Sequence, residues 1–356
     1  MESYIYLRGL RHVDHTVFCV EEGQKFYWDP VFNHRMPYSS GQQVKRSVLD
    51  AITNALNVQP SPVTFVFDVD KKGAIGEGEV LSLCDPQFVD QILGGWMFTP
   101  KAIKGQEQKR SKKRRSPFSI SAMRPLHPLL AGNYSEKATF DRRDKPEIHK
   151  VIVRDSSNNI LNEEQIDKIL KGTDRSTYMK WIPGNERASG LFIYEIAIDL
   201  RNLFCVSTNL LEPEIEKEKI EELKSNGWIT SKNVFGECLV MPKEQREEII
   251  PAIAHALINW RITSNQSRTF SLMETLAIAI SDNANTLAGS IRAKLSDDME
   301  NPKAKPIIDE TVGADLFVTL PCAAYIQTEI ESADALNNAE QRIVDMLLSF
   351  DYENQL

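Results

Sequence analysis

The spacing of apolar positions along the chain predicts both helices and strands. Apolar residues recur every fourth position over 44–56, which predicts a helix over about 42–56 with one apolar face. Over 191–206 apolar residues alternate with others, and Glu195 and Asp199 fall on the opposite face. This alternation predicts a long strand that is half exposed. Similar patterns predict further strands at 3–20, 63–69, 237–241, 272–281 and 316–320, and further helices at 162–170, 212–224, 243–258 and 340–350.

The order of these elements predicts the fold class. A strand, a helix and a strand come first, then long insertions, and then a strand, a helix and a strand. This order is typical of an antiparallel sheet with helices on one face, so we predict an α+β fold with a modified ferredoxin-like or RNA-recognition-motif core and large insertions. We expect the core over 1–281, with an inserted lobe over about 70–190 that includes a basic loop at 101–115. Residues 282–356 would form a C-terminal extension that completes the core.

Composition places the chain among ordinary globular proteins. It has 356 residues, of which 42% are hydrophobic and 26% charged, which is enough apolar material for a core. No run approaches the roughly 20 apolar residues of a membrane-spanning helix, and no signal-peptide pattern follows the first residues. We therefore expect a cytoplasmic protein without membrane contact. The five cysteines are scattered, so we expect buried thiols rather than disulfides or a zinc site.

The positive charge is concentrated in one segment of an acidic chain. The formal net charge is −8, yet residues 101–115 contain eight basic residues and one acid. This asymmetry indicates a local site for anions. The segment lacks aromatic residues, so it would contact phosphates rather than bases; a solvated loop and a localisation signal are the alternatives. The predicted nucleic-acid contacts of this loop are Lys109, Arg110, Lys112, Lys113, Arg114 and Arg115.

A second candidate anion site lies where a loop enters the first predicted helix. The free N–H groups and the positive dipole end of a helix N-terminus attract anions. Here hydroxyl, amide and cationic side chains surround that terminus, although an ordinary capped helix with solvated charges would look similar. The candidate residues are Arg35, Ser39, Ser40, Gln42, Lys45 and Arg46.

The same residues carry a resemblance to a known family. An arginine, two serines, a glutamine and then Lys-Arg lead a helix just after an N-terminal strand, and this pattern resembles the CRISPR-associated Cascade backbone subunit, the Cas-seven or DevR-like family. Three weaker stretches agree in order: 114–121, 191–203 and 265–269. The resemblance covers about 1–281.

The resemblance implies a palm, fingers and thumb arrangement and a role in antiviral defense. Such a subunit binds guide RNA (crRNA) within a multi-subunit CRISPR effector complex, polymerises along it as a helical filament of its own copies, and presents it for base pairing with target DNA or RNA. The implied partners are crRNA, target nucleic acid, further copies of the chain and other CRISPR effector subunits. The helix-terminus residues would hold the guide backbone, aided by Arg268. A thumb bearing Trp181 or Ile182 would wedge against a base.

Candidate catalytic chemistry is sparse. The sequence contains neither a His-Glu-x-x-His motif nor a Gly-x-Ser-x-Gly motif. We therefore expect a protein that is not an enzyme and holds no cofactor or metal. One alternative is an endoribonuclease that cleaves target RNA with Asp29, since RNA-targeting relatives place a catalytic Asp before the serine-rich motif. Another is a structural or autoregulatory protein that binds no RNA stably.

Overall fold

The computed structural model describes residues 3–18, 24–99, 110–136, 152–171, 185–263, 270–296 and 302–356. The strands are β1 (Tyr4–Thr16), β2 (Lys25–Asp29), β3 (His34–Tyr38), β4 (Val63–Val69), β5 (Ile75–Ser82), β6 (Trp96–Phe98), β7 (Lys112–Arg114), β8 (Phe118–Ile120), β9 (Arg124–Pro125), β10 (Ala131–Glu136), β11 (Asn185–Asp199), β12 (Cys205–Ser207), β13 (Ile229–Asn233), β14 (Gly236–Val240), β15 (Glu274–Ser281), β16 (Ile291–Leu295), β17 (Ala304–Ile308), β18 (Asp315–Thr319) and β19 (Glu331–Ser332). The helices are α1 (Gly41–Ala55), α2 (Val89–Gly94), α3 (Glu163–Leu170), α4 (Lys217–Ser225), α5 (Lys243–Asn259), α6 (Ala284–Ser290) and α7 (Ala335–Leu348).

The central sheet has the strand order of a ferredoxin-like core. Strand β1 lies between β11 and β15, and β8 pairs with the outer edge of β11, all antiparallel. Helix α1 connects β1 towards β8, and α5 connects β11 towards β15. The predicted α+β fold with a ferredoxin-like core and insertions is confirmed by this topology. Beyond β15 the sheet continues antiparallel to β18 and then parallel to β19.

The two faces of the sheet bury separate apolar clusters. Helices α1, α5 and α7 cover one face, where the β11 residues Phe192, Tyr194, Ile196 and Ile198 join the larger cluster. On the opposite face Leu191 and Ile193 pack with Leu10 beneath α6 and the β16–β17 hairpin. The alternation predicted for β11 is therefore correct. The face opposite the larger cluster is buried at Leu191 and Ile193, and it is partly exposed at Glu195 and Asp199.

A buried arginine ties β1 to the end of α5. Arg11 is fully buried and donates hydrogen bonds to the carbonyls of Ile258 (2.7 Å) and Trp260 (2.8 Å). Its guanidinium lies 4.1 Å from the Trp260 ring centroid and 4.9 Å from that of Tyr194. Burial lowers the pKa of Arg11 to about 10. Gly9 permits this packing, because a Cβ there would lie 2.2 Å from the Tyr194 ring.

Helix α5 is continuous through Pro251, although a proline inside a helix commonly breaks it. Pro251 and Glu247, the residue one turn earlier, are both exposed, so the carbonyl that loses its partner faces solvent. The insertion expected over about 70–190 is not one continuous lobe, because β8 and β9 at 118–125 pair with β11 inside the central sheet.

Several small sheets surround the core. They are the pairs β2–β3, β4–β5, β6–β7 and β16–β17 and the three-stranded sheet β12–β14–β13. The C-terminal residues contribute β18 and β19 to the central sheet and α7 to the helical layer. Cys84, Cys205, Cys238 and Cys322 are free and buried, as expected. Within the described ranges no helix has the length and apolar character needed to cross a bilayer.

Candidate nucleic-acid interface

The N-terminus of α1 is pinned against the central sheet. Ser40 is the N-cap, and its hydroxyl accepts a hydrogen bond from the N–H of Gln43 at 3.3 Å. The backbone of Ser39 exchanges two 3.0 Å hydrogen bonds with Met123. At Gly41 the chains approach so closely that a Cβ would lie 2.7 Å from the carbonyl oxygen of Ile120. The helix terminus therefore occupies a fixed position beside the strand that follows β8.

Ser39 differs from its predicted role. The residue is fully buried, and its hydroxyl has no hydrogen-bond partner among the described residues. A buried hydroxyl cannot reach a phosphate at the surface, because the bridge to Met123 holds it inside. Ser39 thus fixes the turn through its backbone, whereas Ser40 is half-buried at the helix end itself.

Three predicted donors are exposed around this terminus. The Arg35 side chain is 52% exposed, lies 3.8 Å from the Phe26 ring centroid and pairs with Glu186 at 2.8 Å. The Arg46 side chain is 64% exposed and pairs with Asp50 at 2.9 Å. Gln42 is exposed as well. Exposed ion pairs of this kind contribute about 0–1 kcal/mol, so either guanidinium can exchange its carboxylate for a phosphate at little cost.

Lys45 faces away from this group of donors. Its ammonium donates a 2.8 Å hydrogen bond to the carbonyl of Gly94, at the end of α2. Burial, and then the nearby charge of Arg114, lowers the pKa of Lys45. The structure does not support the predicted contact of Lys45 with a bound RNA strand. Its ammonium instead links α1 to the C-terminal end of α2.

The basic segment alternates between buried and exposed side chains, because residues 112–114 form β7. Arg114 is buried, and its guanidinium donates to the carbonyls of Ile92, Asn202 (2.8 Å) and Cys205 (3.0 Å). The Glu214 carboxylate is 3.8 Å away. Burial lowers the pKa of Arg114, which shows how dry this position is. The prediction that Arg114 contacts nucleic acid is wrong for this reason.

The other described cations of the segment lie at the surface. Lys112 pairs with Glu216 at 3.0 Å and lies 4.7 Å from the Phe98 ring centroid. Arg110 donates to the carbonyls of Leu210 and Leu211, at 3.0 and 2.8 Å. Lys113 and Arg115 are exposed, and neither forms an ion pair with a described residue. Lys113 and Arg115 are thus the best placed of the segment for an external anion.

A cleft separates this segment from the β12–β14–β13 sheet. Its volume is about 840 Å³, and Lys113, Arg115, Arg201 and Phe235 are among its lining residues. Arg201 and Phe235 were not predicted from the sequence, because they reach the cleft from two separate turns. The one sequence signal for Phe235 is an aromatic residue directly before Gly236, and the structure shows that this residue is exposed.

Asp29 has a structural task in the turn between β2 and β3. One carboxylate oxygen accepts hydrogen bonds from the N–H groups of Val31 (3.1 Å) and Phe32 (2.8 Å). The nearby His127 has its pKa lowered by burial, which outweighs the opposing charge of Asp29. In the described part of the chain no group of three or more His, Cys, Asp or Glu side chains is arranged to hold a metal ion. Cleavage of RNA by Asp29 stays a prediction.

Four predicted contacts fall outside the described residues. Arg268, Lys109 and the two thumb candidates Trp181 and Ile182 lie in ranges that the structure does not describe. Their predicted roles stay predictions.

Comparison with known proteins gives a weak likeness at the level of whole chains. No family model matches the sequence, and no curated protein matches it. The chain is similar to a chain of a CRISPR RNA-guided surveillance complex, with 8% identity, 95% of this chain and 99% of that chain covered and a TM-score of 0.41. It is also similar to a chain of a pre-nicking CRISPR RNA-guided surveillance complex, with 8% identity, 97% and 89% covered and a TM-score of 0.41. Likeness at this level carries no argument, so the fold rests on strand order and the site on its own geometry.

Proposed function

We propose that the chain is a non-catalytic backbone subunit that binds guide RNA in a CRISPR interference complex and polymerises along that RNA. One observation carries the proposal. The motif on which the resemblance rests runs from β3 into a helix N-terminus that is fixed to a ferredoxin-like sheet, and the guanidinium groups of Arg35, before that terminus, and Arg46, after it, are exposed.

The chemistry of this terminus fits a phosphate backbone rather than a base. The first N–H groups of a helix and its dipole favour an anion, and a guanidinium matches phosphate oxygens with paired hydrogen bonds. Gln42 adds an exposed amide at the same end. Contacts of this type position a strand without reading its sequence, which is the task of a subunit that presents a guide for pairing.

The proposal predicts a defined loss of RNA binding in the double variant Arg35→Ala/Arg46→Ala. Each phosphate contact that is lost should lower the slope of log affinity against log salt by about 0.7 on single-stranded RNA, so the double variant should lose about 1.4. Titration of a labelled, unstructured RNA at several salt concentrations measures this slope.

The matched control is Arg342→Ala, which removes an exposed arginine paired with Asp315 at 2.7 Å on α7. This variant should keep the wild-type slope. An unchanged slope in the double variant, or an equal loss in the control, would show that α1 does not hold the RNA backbone.

A further inference from the structure

Four planar side chains form a continuous stack beside the cleft. The rings of Tyr6 and Tyr4, on one face of β1, are 5.7 Å apart and 16° from parallel. The Arg201 guanidinium lies 5.0 Å from the Tyr4 centroid and 5.1 Å from the Phe235 centroid. Phe235 thus ends the stack, and it is 61% exposed, so an aromatic face is available to a ligand.

The stack is held rigidly by hydrogen bonds. Asp199 accepts two 2.8 Å bonds from Arg201, whose guanidinium also donates to the Tyr4 hydroxyl at 2.8 Å. The buried Asn233 accepts from the N–H of Phe235 at 2.9 Å and donates to the carbonyl of Arg201 at 3.0 Å. Both sides of the stack are therefore fixed before any ligand arrives, which lowers the entropic cost of binding.

Exposed cations line the same cleft as this stack. Lys113 and Arg115 line the cleft on the side of β7, and neither forms an ion pair with a described residue. Two exposed acids, Glu212 and Glu237, line the cleft as well. An anionic ligand would therefore place its charges beside Lys113 and Arg115 and keep them away from the two acids.

We propose that the cleft between β7 and the β12–β14–β13 sheet binds a short single-stranded segment of nucleic acid, with a base stacked on Phe235 and phosphates at Lys113 and Arg115. Aromatic platforms beside a cationic wall are the usual means of holding single strands without sequence preference. A volume of about 840 Å³ accommodates more than one nucleotide. An acidic peptide would use the cations but not the exposed aromatic face.

The inference goes beyond the proposed function, because it places a second nucleic-acid site away from the N-terminus of α1. It also stands without that function, since none of its residues belongs to the α1 site. The test is therefore made in the full-length Arg35→Ala/Arg46→Ala variant, in which the α1 site is weakened.

The probe is a short fluorescein-labelled oligouridine, and its affinity is measured by fluorescence anisotropy. Adding Phe235→Ala to the background variant should weaken binding about tenfold, the loss expected for one stacked base. Phe65→Ala is the control, because Phe65 on β4 is a similarly exposed phenylalanine at 63% and should change nothing. Lys113→Ala/Arg115→Ala should lower the salt slope by about 1.4.

Three outcomes would overturn the inference. Oligouridine could fail to bind the background variant, or Phe235→Ala could bind as well as Phe65→Ala. An oligoglutamate peptide could also displace the oligouridine completely, while Phe235→Ala leaves binding of the peptide unchanged. That result would make the cleft a site for acidic peptides. A loss in Phe235→Ala with an intact salt slope in Arg35→Ala/Arg46→Ala would instead support the cleft and contradict the α1 proposal.

Discussion

Arg11 and Arg114 are buried beside helix ends, where their guanidinium groups bond mainly to carbonyl oxygens. Arg11 bonds to the last carbonyls around α5, and Arg114 bonds to Ile92 in α2. Carbonyls at a helix C-terminus carry partial negative charge, so they stabilise a cation that has left water. Arg114 also lies 3.8 Å from Glu214, and burial raises the pKa of that carboxyl. Burial thus disfavours the charged form of both groups, whereas their mutual attraction and the carbonyl bonds stabilise the charge on Arg114.

The neighbours Arg114 and Arg115 should respond differently to the same substitution. Arg114→Met leaves buried carbonyls unpaired and removes the cation beside Glu214, whose carboxylate then keeps the N–H of Ser207 as a partner. We therefore expect a loss of about 3–5 kcal/mol in the free energy of unfolding. Arg115→Met should change that free energy by less than about 0.5 kcal/mol, because its side chain is exposed. Urea denaturation followed by circular dichroism measures both.

Equal effects of the two variants would contradict the assignment of Arg114 to the core. A small loss in both would mean that Arg114 is accessible, as the basic run had predicted. A large loss in both would mean that Arg115 is also part of the packed structure.

At this scale the sequence placed capping serines directly before α1, but it did not show that Ser39 and Arg114 are buried. A cap depends on a few adjacent residues, so local rules reach it. Arg114 is buried because β7 pairs with β6, which sets Arg114 opposite Trp96. The length and composition of the residues between β6 and β7 do not predict the register of this pairing. The sequence alone therefore gave no reason to expect that one residue of the basic run is buried.

The β4–β5 hairpin lies outside the apolar clusters of the molecule. Its residues contribute to neither apolar cluster. One face of the hairpin carries exposed apolar side chains. Phe65 on β4 lies opposite Val80 on β5, and Val63 and Phe67 lie two residues to either side of Phe65 on β4. A two-stranded hairpin is marginal by itself, and an exposed apolar patch promotes association between molecules.

Replacing Phe65 and Phe67 should reduce self-association of the chain while leaving its free energy of unfolding nearly unchanged. Phe65→Ser/Phe67→Ser removes no core contact, so each substitution should change the free energy of unfolding by less than about 0.5 kcal/mol. Self-association of the RNA-free chain at high concentration should decrease, because the apolar face is smaller. Sedimentation velocity and urea denaturation of the same samples measure the two effects.

Ile5→Ser is a matched control, since Ile5 is buried in the main cluster. It should reduce stability strongly. A stability loss of similar size in the hairpin variant would show that this face is covered within the chain.

The type of the long periodic elements was predicted, whereas two of the shortest strands were not. Helix α1 was predicted within one residue at each end. Strand β11 was predicted as a strand, but over 191–206, whereas the structure has it at Asn185–Asp199. Strands β8 and β9 are three and two residues long, too short for any period, and they pair with β11 only because the chain returns there from far away. Their place in the sheet changed the predicted extent of the insertion.

At the scale of the whole molecule, the two proposed sites for nucleic acid lie on different elements. The first is the N-terminus of α1, where the proposed guide backbone would lie. The second is the wall of the cleft formed by Lys113 and Arg115. The chain as a whole has a formal charge of −8, which disfavours association of free copies, and the binding of several copies to one RNA strand would supply the free energy that overcomes this repulsion. We therefore propose that assembly of copies depends on RNA.

The ferredoxin-like order could be predicted because it depends on the sequence of element types, which periodicity reveals. The cleft could not, since it forms where β7, the turn after β11 and the β13–β14 turn meet in space. The function proposed for the α1 residues came from the family resemblance, and the structure gives their positions.

The nucleic-acid content of the chain purified after a high-salt wash tests the central claim most directly. The chain would be produced together with a CRISPR repeat array, and co-eluting material would be analysed for nuclease-protected RNA and particle size. The account predicts protected RNA of regular length in an oligomer, and its loss in Arg35→Ala/Arg46→Ala. A monomer free of RNA that also ignores added guide RNA would contradict it.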